Sequence, residues 1–123
     1  MKTEQGCIVV VDDEVAVRTV TTEMLNRIGF DALAVTGGAD VLTVLQERTC
    51  ALVLADLSMP GMSGAAVLAA VRQEAPGVPV VMMTGYGPEE VARAIPEGGY
   101  AGVLTKPFSK QALRQVIEQL LEE

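Results

Sequence analysis

At 123 residues the chain has room for one domain and none for a fused output module. Half of it is hydrophobic and its mean hydropathy is +0.35, which predicts a substantial core. Nine Lys and Arg against sixteen Asp and Glu leave a net charge of −7, and there are two Tyr, two Phe and no Trp, so nucleic acid and anionic membranes are disfavoured as partners and a base-stacking platform is hard to build.

Taken in chain order, the opening MKTEQG lacks the apolar stretch of a signal peptide, and no run approaches the length of a membrane-spanning helix. The expectation is a cytoplasmic protein with no membrane insertion. CIVVV at 7–11 reads as a strand, followed by a helix whose apolar positions are Val17, Val20, Met24, Leu25 and Ile28, stopped at Gly29. LAV at 33–35 is a second strand, and Leu42 and Leu45 mark a helix after Gly37-Gly38. ALVLA at 51–55 leads to a helix carrying Val67, Leu68 and Val71 that ends before Pro76. PVVMM at 79–83 is followed by a short helix that Pro88 starts and Pro96 cuts off. AGVL at 101–104 precedes a last helix, capped by Ser109, with Leu113, Val116, Ile117, Leu120 and Leu121 on one face. Runs that are continuous rather than alternating suit strands covered on both faces, so the alternation predicts a doubly wound parallel α/β sheet spanning 1–123 as one domain.

In such sheets ligands sit at the carboxyl ends of the strands. There the chain carries Asp12-Asp13-Glu14, Asp56, Thr84 and Lys106-Pro107, one polar group after each of four apolar runs. An Asp after a strand is ordinarily a cap or turn residue. Several carboxylates on one edge repel one another unless a cation sits among them, and an all-oxygen set suits hydrated Mg2+. A Lys and a hydroxyl added to it make a cradle for a phosphoryl group. The chain has no His, which removes hydrolases built on an imidazole base. Cys7 and Cys50 are too few and too far apart in sequence for a disulfide scaffold or a zinc site and are expected as buried thiols.

Four segments, VVVDDE at 9–14, LVLADLSMPGMSG at 52–64, MMTGYG at 82–87 and LTKPFS at 104–109, together resemble the receiver domain of response regulators in two-component signalling, over essentially the whole chain. The resemblance implies a flavodoxin-like (βα)5 fold with strand order 2-1-3-4-5. It implies that Asp56 accepts a phosphoryl group from a histidine kinase or a histidine phosphotransfer protein. It also implies that Asp12, Asp13, Asp56 and the backbone carbonyl of Ser58 hold Mg2+, with Asp13 the direct ligand of the acidic pair, and that Thr84 and Lys106 contact the phosphoryl oxygens. In similar domains the Lys-Pro bond is cis. The protein is then a phosphoacceptor rather than an enzyme, a monomer by default, with an output partner still to be named. The chemistry agrees: an ionised carboxylate is a competent nucleophile for phosphorus, and phosphoryl transfer needs mostly positioning and charge neutralisation.

Two other readings compete. A constitutive interaction module would keep the fold without the phosphate, and the intact Asp12, Asp13, Asp56, Thr84 and Lys106 speak against it. A phosphatase of the haloacid dehalogenase type wants a second Asp two residues after the nucleophile, where Ser58 stands. Met59-Pro60-Gly61 is expected as a tight turn, Gly85-Tyr86-Gly87 as a flexible loop, and Met59, Met62, Met82 and Met83 as packing residues. One departure from the family pattern concerns the aromatic usually found three residues before the site lysine. Val103 holds that position, with Tyr100 three residues earlier. The tail and the loop after Thr84 resemble most the receivers of hybrid sensor kinases.

Overall fold

The computed structural model describes residues 6–59 and 62–121. Its elements alternate as the apolar runs predict: β1 (Cys7–Val11), α1 (Val15–Ile28), β2 (Ala32–Val35), α2 (Gly38–Glu47), β3 (Cys50–Asp56), a small ribbon of β4 (Ser58–Met59) and β5 (Met62–Ser63), α3 (Gly64–Glu74), β6 (Val80–Thr84), α4 (Pro88–Ala94), β7 (Gly102–Thr105) and α5 (Lys110–Leu121). Five of the strands form one parallel sheet in the order β2-β1-β3-β6-β7. Counted among themselves, these strands have the expected order 2-1-3-4-5. The direction of winding reverses between β1 and β3, and in such sheets ligands sit beside this point, at the carboxyl ends of the strands.

Alternation along each strand divides the interior in two. Cys7, Val9 and Val11 of β1, Val53 and Ala55 of β3, and Val80 and Met82 of β6 pack against α2, α3 and α4 through Val41, Val67, Val71 and Val91. Ile8 and Val10, Leu52 and Leu54, Val81 and Met83 turn the other way, against Leu25 and Ile28 of α1 and Leu113 and Ile117 of α5. Both helices need this sheet, since burial of each such side chain contributes about 1.5–3 kcal/mol and short isolated helices are marginal in water.

Local chemistry fixes the ends. Gly29 adopts φ 110°, and its N–H donates to the carbonyls of Leu25 and Asn26, closing α1 as the sequence predicts. The Ser109 hydroxyl accepts from the Ala112 N–H at 3.0 Å at the start of α5, and the Ser63 hydroxyl accepts from Ala66 N–H at 3.2 Å at the start of α3. Gly64 is demanded by space: a Cβ there would lie 2.8 Å from the Asp56 carbonyl oxygen and 2.9 Å from Leu57 Cα. The N–H of Gly64 donates to the Leu57 carbonyl at 2.8 Å, so the segment that leaves the sheet after β3 returns to the point it left.

Two expectations need amendment. The β4–β5 ribbon was not anticipated, because strands of two residues carry no readable period; Pro60, Gly61 and the Met62 side chain, which bear on the expected turn and packing, lie outside the described residues. Cys7 is buried as expected, but Cys50 is only half-buried. The two thiols, distant in sequence, are register partners on adjacent strands. Met59, Met82 and Met83 are packing residues, each 8% exposed or less. Among the described residues no helix is long and apolar enough to cross a membrane.

Candidate functional site

The carboxyl ends of β1, β3, β6 and β7 bring the sequence-predicted residues to one edge. Asp56 and Thr84 are the last residues of β3 and β6, and Asp12 follows β1 directly. All three are buried in spite of their polarity, whereas Asp13 is exposed. Burial of the Asp12 carboxylate is compensated on both oxygens: Oδ1 accepts from the Glu14 N–H at 2.9 Å, and Oδ2 accepts from the Lys106 ammonium at 2.8 Å. Lys106 also stands 3.4 Å from Asp56 Oδ2, while Asp56 Oδ1 accepts from the Ser58 N–H at 3.4 Å. The Lys106-Pro107 bond is cis, as expected, and the Lys106 N–H donates to the Thr84 carbonyl at 2.6 Å, which ties the lysine to the end of β6.

One carboxylate oxygen from each of Asp12, Asp13 and Asp56 lies within 4.8 Å of the other two. Three hard oxygen donors with a single ammonium beside them fit a small divalent cation. The electrostatics carry the same message. Burial pushes the Asp56 carboxyl above its ordinary pKa, the pull of Lys106 and the Ser58 N–H opposes this, and Asp12 adds to the push. For Lys106, burial alone would lower the pKa, but the hydrogen bond to Asp12 and the attraction of both carboxylates outweigh it and hold the ammonium more firmly charged. The lysine therefore stays protonated, yet its pull does not fully offset the burial of Asp56 together with the push of Asp12.

Thr84 does not face the carboxylates with its proton. The alternation that sends Val80 and Met82 towards α4 sends Thr84 there too. Its hydroxyl donates to Glu90 Oε1 in the first turn of α4 and accepts from the Tyr86 N–H at 3.2 Å. Tyr86 itself is 84% exposed. Two partners escaped the sequence reading. Arg18 Nη1 donates to the Asp12 carbonyl at 2.6 Å, an interaction that the six-residue spacing to an α1 face could have suggested. Glu90 had no signal beyond that of an acidic first turn.

Beside the acidic edge runs a groove of about 440 Å³ between α1 and the segment after β7, lined mainly by Val17, Val20, Met24, Lys106 and Phe108. Val15 and Val20 of α1 are exposed large apolar residues.

Fold and acidic edge together point to the receiver class of signalling domains, and the comparisons give its family. The model of the response regulator receiver domain matches residues 8–118, and the chain belongs to that family. It is 31% identical over 118 residues to the DNA-binding transcriptional regulator NtrC of Escherichia coli, covering 96% of this chain and 25% of NtrC. The receiver domain of NtrX from Brucella abortus superposes with a TM-score of 0.84 at 33% identity, over 94% of this chain and 98% of that one. The chemotaxis protein CheY4 of Vibrio cholerae, at 24% identity, shares the fold with a TM-score of 0.87 over 95% and 99% of the two chains. The chain thus spans about a quarter of the length of curated relatives such as NtrC.

Proposed function

We propose that Asp56 accepts a phosphoryl group from the phosphohistidine of a histidine kinase or histidine phosphotransfer protein, and that the modified domain presents an altered surface to a protein partner. The observation that carries this reading is the convergence of Asp12, Asp13 and Asp56 within 4.8 Å with Lys106 Nζ 2.8 and 3.4 Å from two of them.

In the reaction an Asp56 oxygen bonds to phosphorus as the bond from phosphorus to the donor imidazole nitrogen breaks, and the imidazole leaves neutral after taking up a proton. Lys106 brings a fixed positive charge to the phosphoryl oxygens, and Thr84 contributes a hydroxyl proton. Asp12, Asp13, Asp56 and the Ser58 carbonyl would hold Mg2+, which when bound supplies the remaining positive charge. The groove beside Lys106, with Val15 and Val20 exposed at α1, offers an apolar seat for the donor at the mouth of the site. Residues 1–123 act in this reading as one receiver domain, a monomer in the cytoplasm, where the ATP that charges a kinase histidine is found.

Acetyl phosphate with Mg2+ supplies a small-molecule donor for the test. Intact-mass analysis should show one added phosphoryl group on the wild type and none on Asp56→Asn; labelling that survives this substitution would overturn the assignment.

A further inference from the structure

A hydroxyl carries one proton, so it can donate one hydrogen bond at a time. The Thr84 proton is committed to Glu90 Oε1, although Thr84 stands at the strand end where the phosphoryl group would sit. We propose that Glu90 is a positioning residue that holds the Thr84 hydroxyl away from the reaction centre at rest and so competes, as an acceptor, with a phosphoryl group on Asp56 for this proton. The proposal rests on the reading of Asp56 as phosphoacceptor.

Several features make the exchange a clean one. The backbone of Thr84 is fixed: its carbonyl accepts from the Lys106 N–H at 2.6 Å, and it is paired in register with Thr105. Only its side chain is free to turn. The acceptor it leaves is a carboxylate, which forms a stronger hydrogen bond than a neutral group does, and the acceptor it gains is a phosphoryl oxygen of like charge. The two therefore compete on comparable terms. Glu90 is half-buried and sits in the first turn of α4. Once its partner leaves, its carboxylate has reason to move into water, and the start of α4 loses its side-chain tie to β6. The Tyr86 N–H, bonded to the same hydroxyl, loses its acceptor in the same event, so the loop at 85–87 is released together with α4.

The resting contact should thus oppose phosphorylation and at the same time define which segment responds. Beryllofluoride with Mg2+ is the probe, titrated into the whole chain and followed by backbone amide shifts. Relative to wild type, Glu90→Ala should bind about five- to tenfold tighter, the worth of one charge-assisted hydrogen bond at a half-buried site. Its Tyr86 amide should already lie, without ligand, part of the way to the bound position. Glu90→Gln keeps an acceptor oxygen and should gain clearly less. In a Thr84→Val background Glu90→Ala should change affinity less than twofold. Glu90→Ser, too short to reach Thr84, repeats the test if alanine disturbs α4. Equal gains in the Gln and Ala variants would mean that charge and not the hydrogen bond matters, and would overturn the proposal. So would a full gain in the Thr84→Val background. Loss of binding in Asp56→Asn with no gain in Glu90→Ala or Glu90→Ser removes this inference alone, whereas binding retained in Asp56→Asn removes the phosphoacceptor reading and this inference with it.

Discussion

The Lys106 ammonium rests on Asp12, 2.8 Å from its Oδ2, closer than its 3.4 Å approach to Asp56. The site lysine is therefore held by a candidate metal ligand, and the ammonium and a bound cation would share one carboxylate. Lys106→Ala should leave Mg2+ affinity unchanged or tighter, while Asp13→Ala weakens it more than tenfold. Without Mg2+ the lysine variant should lose about 2–4 kcal/mol of stability, because a fully buried carboxylate loses its partner, and saturating Mg2+ should restore most of it. Calorimetric Mg2+ titration decides: a loss in Lys106→Ala as large as that in Asp13→Ala contradicts the division of roles.

The raised pKa of Asp56, caused first by burial, has a definite sign. A carboxyl that gives up its proton less readily in the fold than in the unfolded chain destabilises the fold once it is ionised, so at pH 7 the site costs stability. In EDTA, Asp56→Asn should unfold with about 0.5–2 kcal/mol more stability than wild type. Mg2+ should stabilise the wild type more than the variant. Thermal unfolding with and without Mg2+ checks both, and a variant less stable than wild type in EDTA would disprove the account of a buried, ionised Asp56 that costs stability.

Alkaline stability depends on two groups. Burial, and then the neighbouring Cys7 thiol, push Cys50 up to about 11 from an ordinary 9.0. Lys106 is also raised, because the Asp12 hydrogen bond and both carboxylates outweigh its burial. Each binds its proton more tightly folded than unfolded, so the stability it contributes is complete below its unfolded pKa and is lost as pH rises through the folded one. Urea unfolding should show a loss of about 1–2 kcal/mol from Cys50 between pH 9 and 11, discounted for its partial exposure. Cys50→Ala should flatten the early part of that decline. Parallel curves for the two proteins would remove the thiol as its cause.

Val103 bears on how the domain responds. A large difference between states often comes from an aromatic ring that changes burial, and a β-branched valine has little room to swing. Val103 and Tyr100 are both half-buried against the half-core of α2, α3 and α4. Backbone shifts on adding beryllofluoride should accordingly be largest over 57–59 and 85–95, and small at Val103. Shifts as strong along β7 as in those loops would refute this. A Tyr100→Ala variant that loses the response would instead assign Tyr100 the part of the missing aromatic.

What the sequence made legible follows from where its signals are long-range averages. Five apolar runs and five helical faces yield the sheet and its layers, because burial on both sides of a strand leaves continuous apolar stretches such as those at 7–11 and 79–83. Asp12, Asp13, Asp56 and Lys106 were legible because strand ends are fixed by the same runs. The orientation of Thr84 was not: its partner Glu90 depends on how a seven-residue helix sits on β6, which no periodicity encodes. The pairing of Cys7 with Cys50 was hidden for the same reason, since register between strands is set by the whole sheet. Arg18 falls between these cases, on a readable helix but bonded to a backbone atom that the sequence does not display.

The sheet that separates the two half-cores has a consequence for how such a domain diversifies. Side chains on the α1/α5 side, Leu25, Ile28, Leu113 and Ile117 among them, do not pack against those on the α2, α3 and α4 side, such as Val41, Val67 and Val91. Substitutions on opposite sides share no packing partner, and effects without shared partners add instead of compounding. Sequence drift that reshapes the groove beside α1 therefore need not be compensated under α4. Lineages can exchange one correspondent while keeping the other, with the strands and their acidic edge as the inherited part.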